Sequence, residues 1–213
     1  MPPDGPDPGQ LAVTLHGVEP ATFAHCALIR DWLGDLGIDR VTLMVIPAAD
    51  HHPFFQRSPA LADWLRERRA AGDGVAQQGF VGSGAQGGVG AVSAQVRAGR
   101  RLMALAGLTP GGYEAPTLAH AVGARRELAD SYAWWMAPRL WRAARRLRGG
   151  RVLRVALSPD DFHRGPARVR ALEQTLRAES VRRRPVTFDE LADEGVGGRG
   201  RFPTDAPRVP SVG

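Results

Sequence analysis

Six histidines, one cysteine and a scatter of carboxylates are the groups in this 213-residue chain that could hold a metal or move protons. Three clusters of them fall where apolar runs end. His16 and Glu19 follow the first run, Asp50, His51 and His52 the second, and Ser158, Asp160, Asp161 and His163 the last. Imidazole and carboxylate are donor types that divalent cations take from proteins, and a set such as His16, Asp50 and His52 would satisfy one in kind. Ordinary loop histidines and loop-capping aspartates explain the same residues without a metal, so both readings stand. His25 and His120 lie in helical surroundings and read as surface or satisfied core residues. Cys26 is the only cysteine, which excludes a disulfide or a cysteine-based zinc cluster within the chain, and its helical context reads as a buried thiol. Ser158 lacks the flanking glycines of a nucleophile elbow.

Groups on separate loops act together only if the fold brings those loops to one place. Residues 11–15 alternate as a strand that breaks at His16-Gly17, and residues 20–36 carry apolar side chains at a helical period closed by Gly37. Residues 41–46 form the near-continuous apolar run of a parallel strand covered on both faces. Ser58-Pro59 offers a cap and a first helical residue for a helix ending near Gly72, and residues 75–80 are a weaker third strand. The glycine-rich stretch 82–90 has no Lys-Ser/Thr after it and no dinucleotide-fingerprint placement, so it reads as a loop.

The remainder predicts a helix over 91–106, a short strand over 111–116, helices over 118–129 and 138–147, and a strand over 151–157. Trp134, Trp135 and Trp141 read as core or groove wall. After a polar loop at Ser158 come a long helix over 166–182 and a short one over 186–194 with Thr187 as cap. Alternating strands and helices point to a single α/β domain with a parallel sheet over residues 11–194, with disordered ends at 1–10 and 195–213. Right-handed crossovers would put every strand's C-terminal end on one side, where a site belongs.

With 43% hydrophobic and 23% charged residues the chain has the composition of a soluble globular protein, and no run approaches the roughly 18 apolar residues of a membrane span. Its first ten residues lack the layout of a secretory signal, so a cytoplasmic location is the expectation. All 28 basic residues are arginines and the net charge is +6. Their spread over helices, against 22 acids, points to solvated helix faces rather than a nucleic-acid footprint. A polyanion-binding module built on Arg142, Arg145, Arg146, Arg148 and Arg151 is kept as an alternative.

Taken in order, Thr14-Leu15-His16-Gly17-Val18-Glu19-Pro20, Val45-Ile46-Pro47, Ser58-Pro59-Ala60-Leu61, Gln77-Gln78-Gly79-Phe80, Glu114-Ala115-Pro116 and Leu157-Ser158-Pro159-Asp160-Asp161 resemble the polysaccharide deacetylase (NodB-homology) family. The likeness is to its shorter branch, a related domain of unknown function. The resemblance implies a distorted, partly open (β/α) barrel of the glycoside hydrolase/deacetylase type. It also implies a divalent metal held by an Asp and two His, a second Asp as base, and a later-strand His as acid. Here the paired aspartates correspond to His16 and Gly17, the two metal histidines to Gln78 and Gly82, the later His to Ser158, and an Arg near the fourth strand to Ala115 or Glu114. A glycine offers no donor, and an amide is a poor substitute for imidazole at zinc.

The resemblance therefore implies a degenerate deacetylase-like protein without metal at the family positions. It would serve as a scaffold or bind a carbohydrate or N-acetylated small molecule in a groove lined by His16, Glu19, Gln78, Pro116, Ser158, Asp160 and Asp161, with His16 and Ser158 at catalytic positions. An active metal-dependent amidohydrolase, with zinc or another divalent cation relocated to His16, Asp50, His51 and His52, is the alternative. Neither the pattern nor the likeness fixes an oligomeric state.

Overall fold

The first apolar run does not stop at His16-Gly17. In the computed structural model, which describes residues 9–81, 89–115, 133–136, 152–163 and 165–193, strand β1 spans Gln10–Val18. Gly17 has φ of +71°, a region that glycine enters without steric cost, and the register against β2 (Val41–Val45) slips between Leu15 and Val18. This bulge absorbs the break and keeps His16 within the sheet instead of on a loop, which corrects the expected strand end. β1 also takes in Gln10, inside the stretch expected to be disordered.

Helix α1 (Phe23–Asp35) starts later than its apolar pattern and closes as expected at Gly37, where φ is +76°. The Gly37 N–H bonds the Gly34 carbonyl and the Ile38 N–H bonds that of Leu33, so the last carbonyls of the helix are satisfied. A 3-10 turn at Ala49–His51 and a short α2 (Phe54–Arg57) then lead to α3 (Pro59–Ala70). There Ser58 Oγ accepts the Leu61 N–H at 3.2 Å, as the Ser-Pro signature indicates.

β3 (Gly74–Gln78), α4 (Val89–Leu105) and β4 (Gly112–Ala115) follow. β5 (Ala133–Met136) was not anticipated, because four residues are too few to show a period. The helices expected over 118–129 and 138–147 lie outside the described residues. The chain then forms β6 (Val152–Leu157), α5 (Pro159–Phe162), α6 (Pro166–Arg182), β7 (Arg184–Pro185) and α7 (Phe188–Asp193).

Among the described residues seven strands form one parallel sheet of order β5-β4-β3-β2-β1-β6, with β7 pairing Gln10 and Leu11 of β1. In a flat sheet β4 would stand about 14 Å from β1 and about 19 Å from β6, at roughly 4.8 Å per strand. Yet Glu114 on β4 reaches His16 on β1 at 3.0 Å and Arg154 on β6 at 3.1 Å. Side chains span such gaps only across the hollow of a curled sheet. The architecture is therefore an α/β half-barrel, in keeping with the expected partial barrel.

Register sorts the strand residues between the two faces. Leu11, Val13 and Leu15 join Leu43, Val45, Val75, Cys26, Ile29, Leu33, Leu61, Leu65 and Met103 in the larger core between sheet and helices. On the concave face Ala12, Met44 and Ala76 pack against Val186, Phe188 and Leu191, so the start of α7 plugs the N-terminal end of the hollow. Thr187 opens α7 as expected: its hydroxyl accepts the Glu190 N–H at 3.3 Å, and the Glu190 carboxylate accepts the Thr187 N–H at 2.7 Å.

Candidate functional site

Above that plug the concave face turns polar. Thr14 and His16 are two apart on β1 and so share the face that Arg154 of β6 and Glu114 of β4 also occupy. Glu114 sits between two cations or potential cations, with Oε2 at 3.0 Å from His16 Nδ1 and Oε1 accepting from Arg154 Nη2 at 3.1 Å. Both the Glu114 and Arg154 side chains are at least 96% buried, at 4% and 2% relative exposure. Burial pushes the Arg154 guanidinium down to about 10, against an upward pull from Glu114, and so leaves it charged at neutral pH. Its guanidinium carbon also lies 4.4 Å from the centre of the Phe188 ring, a cation–π contact that ties the cluster to the plug.

His16 is 8% exposed. Facing a carboxylate, Nδ1 carries the ring hydrogen, and Nε2 lies 2.9 Å from the Thr14 hydroxyl oxygen. That hydroxyl's other neighbour, the Val155 carbonyl, is 3.4 Å away. A carboxylate on one ring nitrogen and a hydroxyl on the other give an imidazole of fixed tautomer and orientation, the arrangement that acid–base sites use. Beside it, the Gly17 N–H donates to Gln78 Oε1 at 2.7 Å, joining the C-terminal ends of β1 and β3 over that of β2. His16, Gly17, Gln78 and Glu114, named from separate stretches of sequence, thus converge on the end of the sheet where ligands of α/β barrels bind.

Other candidates do not join them. Ser158 caps α5: its N–H and its hydroxyl both bond Asp161 Oδ2, at 3.0 and 3.1 Å. This gives Ser158 and Asp161 a local role at a helix terminus; Asp160 beside them is exposed. Asp50 and His51 occupy a turn at φ of 54° and 61°, and Asp50, His51 and His52 are all exposed. The Asp50 carboxylate lies 4.0 Å from Arg57 Nη2. Among the described residues no group of three or more His, Cys, Asp or Glu side chains could hold a metal, so His16, Asp50, His51 and His52 do not form one.

The described positions that the resemblance matches to metal ligands, Gly17 and Gln78, are engaged with each other. Gly17 has no donor, Gln78 Oε1 is taken by an N–H, and both His16 nitrogens have partners. Glu19 stands on the rim loop, half-buried, its carboxyl raised above the usual range by burial and by the Asp50 charge. Gly82, Pro116, His120, Arg142, Arg145, Arg146, Arg148 and Arg151 lie outside the described residues.

Thr14 and Arg154 belong to the cluster and were not singled out from sequence. The available signals were an arginine in the middle of an apolar strand and a threonine two residues before a histidine on a strand.

No protein-family model, no curated protein and no solved structure matches this chain. The fold and the cluster define an α/β half-barrel with a polar concave face at the C-terminal end of its sheet. Among the described residues no helix is long and apolar enough to cross a membrane.

Proposed function

We propose that the protein is a deacetylase-like half-barrel that binds a carbohydrate or N-acetylated small molecule over His16, Gly17 and Gln78. In this reading metal-dependent hydrolysis at the family positions has been lost. The observation that carries it is the mutual bonding at those positions: Gln78 holds the Gly17 N–H, and His16 is held by Glu114 and Thr14. Buried ion pairs in a hollow are costly to assemble, and such perturbed groups cluster at functional sites. Polar donors and acceptors at the C-terminal rim suit a hydroxyl-rich or amide-bearing ligand.

The test is calorimetric titration of chelator-treated protein with N-acetylglucosamine oligomers, and separately with zinc, for the native chain and His16→Ala. Saturable sugar binding weakened in His16→Ala, without tight zinc binding, is expected. Tight one-to-one zinc binding lost in His16→Ala, together with acetate release from the sugar, would overturn the reading in favour of an active hydrolase.

A further inference from the structure

Gln78 contributes a carboxamide, the functional group of an acetamide, and its oxygen rests on the Gly17 N–H at 2.7 Å. That N–H belongs to a bulge with φ of +71°, which frees it from the sheet's regular pairing. A Cβ built on Gly17 would meet nothing within 4 Å, so among the described residues the space beside this donor is open. The residue before it on β1 is His16, oriented by Glu114. A backbone donor that already holds one amide oxygen as partner, with open space on its Cβ side and a fixed imidazole next to it, is suited to seat a carbonyl oxygen.

We infer that the Gly17 N–H is a carbonyl-binding donor for an amide-bearing ligand, and that the Gln78 carboxamide is its placeholder, swinging out when the ligand's own carbonyl arrives. This rests on the proposed binding reading and adds to it the ligand's recognised group, an uncharged amide, and the residue that competes for the seat. Gln78 is only partly buried, so its side chain has room to leave, unlike the buried Gln77 beside it, whose amide nitrogen donates to the carbonyls of Gly79 and Gln95.

The simpler role for the same bond is a brace closing the half-barrel rim, and the two roles predict opposite results when Gln78 is removed. Acetamide and N-acetylglucosamine, with glucose as the sugar lacking an amide, are titrated into native protein, Gln78→Ala and Gln78→Met while backbone amide resonances are followed. Gln78→Met keeps the side-chain length without the acceptor, and serves if the alanine variant fails to fold. Amide-bearing probes should bind the variants about fivefold more tightly than the native chain, the worth of one neutral hydrogen bond no longer opposed. The largest shift should fall on the Gly17 amide, and glucose should leave that resonance still.

Equal or weaker amide binding in both variants overturns the placeholder and leaves the brace. Glucose binding as well as N-acetylglucosamine, with Gly17 silent, overturns the carbonyl seat while the sugar-binding reading survives. No probe binding to any of the three proteins sinks both.

Discussion

Two buried ionic clusters occupy opposite ends of the sheet, and they are built differently. At the N-terminal end, Asp73 accepts from Arg30 Nε and Nη2 at 2.7 and 2.9 Å, from Arg68 Nε at 2.8 Å and from the Val41 N–H at 3.0 Å. One carboxylate is thus saturated by two guanidiniums and a backbone donor, and it joins α1, α3, β2 and the start of β3. On the concave face Glu114 has one arginine contact and one histidine contact, and the histidine continues to a hydroxyl. The first cluster consists of a carboxylate and guanidiniums alone, with the Asp73 side chain fully buried. The second includes an imidazole beside an open-sided glycine. In barrels the N-terminal end of the sheet serves stability and the C-terminal end serves chemistry, and the binding role proposed for the second cluster follows that line.

The division can be broken by substitution. Asp73→Asn should have the largest effect on stability, about 3–5 kcal/mol in urea unfolding, because two buried or half-buried arginines lose their counter-charge. Glu114→Gln should cost less, about 1.5–3 kcal/mol, because Glu114 accepts from a single arginine through one oxygen, which the amide retains. Asp73 instead accepts four bonds on both oxygens, and an amide NH2 would face two of those donors. It should also change the His16 ring nitrogen spectrum, which Asp73→Asn leaves alone. A Glu114 variant as costly as Asp73→Asn with an unchanged His16 spectrum would erase the distinction.

Ser158→Ala should cost about 1 kcal/mol, the worth of a helix cap, and leave sugar binding unchanged. Weakened binding would restore Ser158 to the site. Glu19→Gln should have the smallest effect. Its carboxyl is raised, so the native state binds more protons than the unfolded one across that range and stability falls as pH rises through it. Removing the charge should raise stability at pH 7 by no more than about 0.5 kcal/mol, and the gain should vanish in acid below the carboxylate range. A gain that persists there would point to packing rather than charge.

Local chemistry was legible wherever a signal is written in adjacent residues. Ser58-Pro59, Gly37 and Thr187 each set a helix end that the structure reproduces, and apolar runs located β2 and β6. β1 was cut short because a glycine inside a strand and a glycine ending one look alike until the bulge is seen. His16 and Gln78 were singled out by position, but their partners were not readable. Glu114 meets Arg154 only because the sheet curls, and curvature is a property of all the strands together. The local bond of Ser158 was equally unread: its neighbour Asp161, three residues on, engages its hydroxyl as a helix cap. Cys26, read as a buried thiol, is fully buried and raised to about 11 by that burial.

The sharpest test is to titrate N-acetylglucosamine into Glu114→Gln and Asp73→Asn under conditions where both remain folded. If the concave cluster is the binding site and the Asp73 cluster only a clamp, Glu114→Gln should weaken binding about tenfold or more while Asp73→Asn keeps the native affinity. Native affinity in Glu114→Gln, or equal losses in the two variants, would contradict the assignment of the site.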